Sequence, residues 1–192
     1  MVMQILHIAS FTGNIGDNAS HIGLENILGK VLKKSFKITR HEVRRYYKNI
    51  DPQLRKNFDN SFVSYANEFD FIIIGGGGFL DYFVKNSSTG TTIDINIDLL
   101  EQINTPILFS SIGCVPNNSI PKGNKKKFQH FLDYILSSKK IDLLVRNDGS
   151  KDNLNTNFNL KPKYIKSIID NGFHFSTNFD KFIKLKKNYV AM

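Results

Sequence analysis

The chain has 192 residues, of which 41% are hydrophobic, and a single cysteine, Cys114. This length favours one domain with a substantial core, and one cysteine excludes an internal disulfide bond. The formal net charge is +9, but no recognition motif accompanies the lysines, so we do not expect nucleic acid as a partner.

Two further function classes are excluded. No Cys/His cluster has the ligand spacing of a zinc site, so we expect no metal. No apolar run approaches the roughly 20 residues that span a bilayer, and the N-terminus MVMQILHIASF lacks the basic region of a signal peptide. These features predict a cytoplasmic location.

Apolar runs and helical spacing alternate along the chain. Asp17 or Asn18 is available as the N-cap of the first helix. Residues 92–104 favour a helix, although Ile93, Ile95 and Ile97 also alternate as in a strand. The predicted elements, in chain order, are strand 4–11, helix 18–34, strand 36–43, a looser helical region 51–69, strand 71–75, helix 92–104, strand 106–113, helix 123–140, strand 141–148, a short helix after Ser150 and strand 163–170.

The alternation of strands and helices predicts the fold class. Such a pattern is typical of right-handed βαβ units. We therefore expect an α/β protein with a Rossmann-like, doubly wound, mainly parallel sheet and helices on both faces. Ligands of such sheets bind beyond the carboxyl ends of the strands.

Glycines cluster where those strand ends are predicted. Gly13 and Gly16 follow the first strand, Gly75 to Gly78 end the central strand, and Gly113 ends the next. Backbone without side chains lets a ligand approach closely, and successive N–H groups can form an anion-binding concavity. The alternative is that these glycines only let the chain cross tightly over the sheet.

Four segments occur together in an order that resembles a known family. They are GNIGDNASHIGLENIL (13–28), DFIIIGGGGFLDY (70–82), PILFSSIGCVPN (106–117) and LLVRNDGSKDNL (143–154), and IIDNGFHF (168–175) adds a fifth. The set resembles the polysaccharide pyruvyl transferase family. Cys114, Asn147 and Ile169 depart from the family pattern, which indicates a divergent member.

The resemblance implies the N-terminal half of a two-domain fold of the glycosyltransferase-B type. Residues 1–185 would form the acceptor-side domain, and residues 186–192 would begin a second domain. The donor would be phosphoenolpyruvate, with no other cofactor. The acceptor would be a lipid-linked or nucleotide-linked sugar precursor of a cell-surface polysaccharide, used at the inner face of the membrane. Peripheral membrane contact and a homo-oligomer stay open.

The site residues that follow are partly chemical inferences and partly implied by the resemblance. Arg146 is the candidate for donor binding, since a guanidinium suits both phosphate and carboxylate; its alternative is an ion pair with Asp148 or Asp152. His21 is a weaker catalytic candidate, and a solvated position on the first helix is the favoured alternative. The candidates for substrate binding are Gly13, Asn14, Gly16, Asp17, Gly75, Gly76, Gly77, Gly78, Asp81, Tyr82 and Gly113.

Several of these residues also have structural interpretations. Asp17 favours a helix cap, and Asp81 and Tyr82 are equally suited to a structural role. His7 is expected in the core, and Cys114 as a small packing residue, because no base accompanies it. Two other functions compete with pyruvyl transfer: a glycosyltransferase-like enzyme that uses a nucleotide sugar, and a non-catalytic remnant that binds a glycan.

Overall fold

A computed structural model describes residues 1–12, 14–158, 160 and 165–176, which form one six-stranded sheet. All five strand pairs are parallel, and the order is β2-β1-β3-β4-β5-β6. The predicted α/β fold with a Rossmann-like parallel sheet is therefore confirmed. The strands are β1 (Met3–Ala9), β2 (Phe36–Glu42), β3 (Phe71–Gly75), β4 (Ile107–Ile112), β5 (Ile141–Arg146) and β6 (Lys166–Ile168).

Helices cover both faces of the sheet, as a fully buried parallel sheet requires. On one face, Leu24 of the first helix packs with Ile5 and Ile73. On the other face, Leu6 and Ile72 pack with the remaining helices. The helices are α1 (Ile15–Val31), α2 (Asn60–Ala66), α3 (Ile97–Gln102), α4 (Asn124–Ser137) and α5 (Ser150–Phe158), and short 3₁₀ helices span Val43–Tyr46 and Asn171–His174.

Helix α1 begins earlier than predicted. Its N-cap is Asn14, whose Oδ1 accepts a hydrogen bond of 2.8 Å from the Asp17 backbone N–H. The prediction that Asp17 or Asn18 caps this helix is therefore wrong. The cap leaves the Asp17 side chain free to pair with Arg44, at 3.3 Å.

Two other helices are much shorter than predicted. Helix α2 occupies only the end of 51–69, because Asp59 caps it through the N–H groups of Ser61 and Phe62. Within 92–104, only residues 97–102 are helical. Ile93 and Ile95 lie in an irregular segment before this helix, and their side chains are buried in the core. That burial explains why they alternate as in a strand.

The last part of the chain is described only in places. Strand β6 covers three residues of the predicted 163–170, and the segment 186–192 lies outside the described residues. Among the helices that the structure describes, none is both long and apolar enough to cross a bilayer.

Candidate functional site

The strand order creates a crevice at the carboxyl edge of the sheet. The chain leaves β1 towards one face and β3 towards the other, and such a switch point is where open α/β sheets bind ligands. A cleft of about 560 Å³ opens there, which we call the Arg146 cleft. Its lining residues are Asn14, Gly16, Asp17, Ala19, Gly76, Gly77, Gly78, Arg146, Asp170, Gly172 and Phe173. Of the predicted site residues, Gly13 lies outside the described residues.

A second, larger cleft adjoins the first. It has a volume of about 920 Å³ and also contains Asn14, Asp17, Gly77 and Gly78. Its other walls come from the 3₁₀ helix after β2 and from the loop between β3 and α3. We call it the Lys48 cleft. The shared residues make the two clefts arms of one crevice.

The four consecutive glycines have different roles. A β-carbon on Gly75 would lie 1.9 Å from the Ser110 carbonyl oxygen, so Gly75 allows β4 to pack closely against β3. Gly76 has a φ of +86°, a conformation that favours glycine. Gly77 and Gly78 line both clefts. The tight-packing interpretation therefore holds for the first glycine, and the ligand interpretation fits the last two.

Gly113 also allows two backbone segments, the end of β4 and the glycine turn, to lie close together. Its N–H donates to the Gly77 carbonyl at 2.9 Å, and a β-carbon on it would lie 3.0 Å from the Gly78 Cα. Gly113 is buried and lines neither cleft. Gly113 therefore supports the glycine turn through this backbone hydrogen bond and does not line the space that is open to a ligand.

Arg146 lies in the crevice but is already paired. Its Nε donates to Asp148 at 2.7 Å and its Nη1 to Asp170 at 3.1 Å. Burial alone would lower the pKa of Arg146, but the two carboxylates outweigh it and raise the pKa. The ion-pair alternative is therefore correct for Asp148, whereas Asp152 forms no such pair. Nη2 of Arg146 makes no hydrogen bond to the described residues and lies close to Gly113, beside the glycine turn.

Asp81 joins the glycine turn to the segment after β4. Its Oδ1 accepts a hydrogen bond of 2.7 Å from the Val115 N–H, and its carboxylate lies against Gly78. Burial raises the pKa of Asp81 to about 6, and the nearby Asp148 charge adds to the effect. A carboxyl group that titrates near neutral pH can exchange a proton with a ligand.

The neighbouring Tyr82 does not reach the crevice. Its side chain is 1% exposed, its ring stacks on Phe128 at 5.2 Å, and its hydroxyl donates to Asn153 at 3.3 Å. The structure removes Tyr82 from the candidate site, because a ring buried in the core cannot contact an acceptor.

Asp81→Asn is expected to stabilise the protein at pH 8 by about 1–2 kcal/mol, after allowance for solvent screening, and to have no effect at pH 4. A folded-state pKa raised to about 6 means that stability is lost as pH rises from 4 through 6. Asparagine carries no charge and keeps the acceptor for Val115. Urea unfolding at both pH values measures this, with the exposed Asp142→Asn as the control. Equal effects of Asp81→Asn at the two pH values would contradict the assignment.

His21 is buried rather than solvated. It is 3% exposed, and its Nε2 lies 2.6 Å from the Ser10 carbonyl oxygen. The expectation of a solvated helix histidine is therefore wrong, because α1 turns this residue towards β1. Since a carbonyl only accepts, Nε2 carries the proton and Nδ1 is left as an acceptor. Burial lowers the pKa of His21, which favours this neutral form.

Further unpartnered polar atoms surround His21 beneath Gly76. The His7 ring lies 5.2 Å from the His21 ring, and the Ser20 hydroxyl would lie 2.9 Å from a β-carbon on Gly76. Nδ1 of both histidines and the hydroxyls of Ser10 and Ser20 are buried and make no hydrogen bond to the residues that the structure describes. His7 is in the core as expected. No local sequence pattern indicates that these atoms lie together under the glycine turn.

The remaining ionisable groups in the described part of the chain form no metal or nucleophilic centre. Among the described residues, no group of three His, Cys, Asp or Glu side chains is arranged to hold a metal ion. Cys114 is buried, donates to the Leu80 carbonyl at 3.3 Å, and has a pKa raised by burial. It is the packing residue that the sequence indicates.

Asp170, Gly172 and Phe173 were missed as site residues, although they belong to the quoted segment IIDNGFHF. Strand β6 ends beside β5, and the 3₁₀ helix then folds back over α1. A family-like segment directly after a strand was the signal available. Comparisons with family models and with curated proteins yield no match to this chain.

Proposed function

We propose that this chain is the acceptor-side domain of an enzyme of the polysaccharide pyruvyl transferase type. The reaction moves a pyruvyl group from phosphoenolpyruvate to a sugar of a cell-surface polysaccharide precursor. The single observation that carries the proposal is the crevice at the switch point, whose floor is bare backbone at Gly77 and Gly78. The crevice and the resemblance in sequence point to the same end of the sheet.

The Arg146 cleft has the chemistry of a sugar site. Asp17 and Asp170 provide carboxylate oxygens that accept hydrogen bonds from hydroxyl groups. Phe173 is 79% exposed and presents an apolar ring at the same cleft. A sugar ring has an apolar face and a rim of hydroxyls, so an aromatic ring beside carboxylates suits both parts.

The same cleft is less suited to hold a donor anion alone. Arg146 is balanced by Asp148 and Asp170, and Asp17 is a further carboxylate. A phosphate and a carboxylate together need a net positive site. This balance fits the two-domain arrangement that the resemblance implies, in which a second domain supplies most donor contacts and Nη2 of Arg146 adds one.

The chemistry requires proton transfer at the acceptor. Two sugar hydroxyls lose their protons and form bonds to C2 of phosphoenolpyruvate, and the bond from C2 to the phosphate oxygen breaks. The methylene carbon gains one proton, and the leaving inorganic phosphate takes the other. Asp81, with its pKa of about 6, lines neither cleft itself, but its carboxylate lies beside Gly78, which lines both. We assign it the role of proton acceptor for a sugar hydroxyl.

The test uses the protein expressed together with any coding sequence that follows it. Phosphoenolpyruvate and a panel of lipid-linked and nucleotide-linked sugars are added, and phosphate release is measured. We expect release that depends on an acceptor, and an acceptor mass increased by one pyruvic acid less one water. Asp81→Asn should lose turnover while staying folded.

Two other outcomes would replace the proposal. Turnover of a nucleotide sugar without phosphoenolpyruvate would indicate a glycosyltransferase. Sugar binding without turnover of any donor would indicate a non-catalytic glycan-binding protein.

A further inference from the structure

We propose that the Lys48 cleft binds the diphosphate through which an acceptor sugar is joined to its carrier. This inference rests on the proposed function, since it identifies the class of acceptor. Nucleotide-linked and polyprenol-linked sugars both contain this group.

The cleft and the pocket beside it are basic. Arg44, Lys48 and Lys85 line the cleft itself. Lys56 and Lys127 line an adjoining pocket, which shares Lys48 and Asp94 with the cleft. Five basic side chains therefore face two carboxylates, those of Asp17 and Asp94. A diphosphate carries several charged oxygens, and a site of this net charge attracts it.

Both carboxylates are already engaged with the protein. Asp17 pairs with Arg44 at 3.3 Å. Asp94 pairs with Lys48, and it accepts hydrogen bonds from the Ser88 N–H at 2.6 Å and the Ser88 hydroxyl at 2.7 Å. Burial alone would raise the pKa of Asp94, but these partners outweigh it and lower the pKa. Asp94 therefore positions Lys48 at the cleft.

Two lysines have no engagement of this kind. Nζ of Lys56 and Nζ of Lys85 make no hydrogen bond or ion pair with the residues that the structure describes. Lys127 donates to the Ser87 carbonyl at 3.0 Å, which directs its ammonium group to the same pocket. The cleft thus presents uncompensated positive charge.

The loop that carries Lys85 is held by hydrogen bonds among its own residues and by one from α4. The hydroxyl of Ser87 donates to the Thr91 carbonyl at 2.8 Å, and that of Thr89 donates to the Ile93 carbonyl at 2.8 Å. Asn124 of α4 donates to the Val84 carbonyl at 2.9 Å. Fixed positions reduce the entropy lost on binding. Such a network indicates a rigid, preformed wall rather than a mobile charged loop.

The junction of the clefts fits a sugar diphosphate. Gly77 and Gly78 line both clefts together with Asn14 and Asp17, so a sugar in the Arg146 cleft can extend over the glycine backbone towards the Lys48 cleft. The diphosphate then reaches Lys48 and Lys85. Phe83 also lines the Lys48 cleft, and its apolar ring can contact the part of the carrier that is joined to the diphosphate.

The test is titration calorimetry with inorganic pyrophosphate, uridine diphosphate and geranyl diphosphate, with sulfate at equal ionic strength as the reference. Lys48→Gln/Lys85→Gln is compared with Lys37→Gln/Lys139→Gln, which removes equal charge from two exposed positions away from the cleft. We expect pyrophosphate affinity to fall about tenfold or more in the first variant and less than about twofold in the second. Lys85→Gln alone leaves the Asp94 pair intact and should also weaken binding.

The outcomes distinguish the sources of the diphosphate. Tighter binding of uridine diphosphate than of pyrophosphate indicates a nucleotide carrier, and tighter binding of geranyl diphosphate indicates a polyprenol carrier. Pyrophosphate binding no tighter than sulfate, or an equal loss in both double variants, would overturn the proposal. Because this titration needs no turnover, diphosphate binding without pyruvyl transfer would refute only the proposed function.

Discussion

Gly75→Ala is expected to destabilise the fold by about 3 kcal/mol or more, a large part of the stability of an ordinary domain. The new β-carbon would lie 1.9 Å from the Ser110 carbonyl oxygen and 2.9 Å from its carbon. Gly75 pairs with Ser110 between two central strands, so neither backbone can shift without disturbing the sheet. The measurement is the urea midpoint, or loss of soluble protein.

Gly78→Ala is the matched control within the same run of glycines. A β-carbon there would have the Asp81 carboxylate as its nearest neighbour, at 3.0 Å, and a side-chain end can move. We expect a change below about 0.5 kcal/mol. If Gly75→Ala were as stable as Gly78→Ala, β3 and β4 could not approach as closely as described.

Gly23→Ala is expected to lower the free energy of unfolding by about 3 kcal/mol as well, through a clash with a different segment of the chain. Gly23 lies in α1 against the 3₁₀ helix after β6, and its β-carbon would lie 1.8 Å from the Asn171 carbonyl oxygen. If the 3₁₀ helix detaches instead, Asp170 and Phe173 leave the Arg146 cleft. Unfolding and amide hydrogen exchange over residues 171–175 measure both effects.

Gly29→Ala in the same helix should have the opposite sign. Apart from its own stretch of helix, no atom of the described residues lies within 4 Å of its β-carbon, so alanine adds helix propensity of about 0.5–1 kcal/mol without a clash. A loss of stability in both variants would mean that α1 tolerates no alanine for reasons other than packing against Asn171.

The sheet could be predicted from sequence because its strands are distinctive. Ile72, Ile73 and Ile74 form an apolar run that ends in glycine, which is how a strand buried on both faces appears. Parallel strands place their carboxyl ends at one edge. The location of the crevice therefore followed from where Gly16 and Gly78 stand along the chain.

The details of the site depend on packing that no local pattern encodes. His21 is buried because α1 lies against β1, and Tyr82 is buried because α4 covers it. Lys48 pairs with Asp94, and Arg146 pairs with Asp170 in addition to the neighbouring Asp148. Asp94 and Asp170 are far along the chain from the residues they pair with, so no local pattern predicts these pairs. Residues 83–96 carry few periodic signals, yet they build a wall of the larger cleft.

The central claim is that a sugar binds over the bare backbone of Gly77 and Gly78. Its most direct test is an NMR titration of the protein with free hexoses and N-acetylhexosamines, followed at the glycine amides. We expect saturable shifts at Gly77 and Gly78 in the native protein, and much weaker shifts in a Phe173→Ala variant, which lacks the exposed ring beside the Arg146 cleft. Absence of shifts with every sugar, or equal shifts in the variant, would contradict the account.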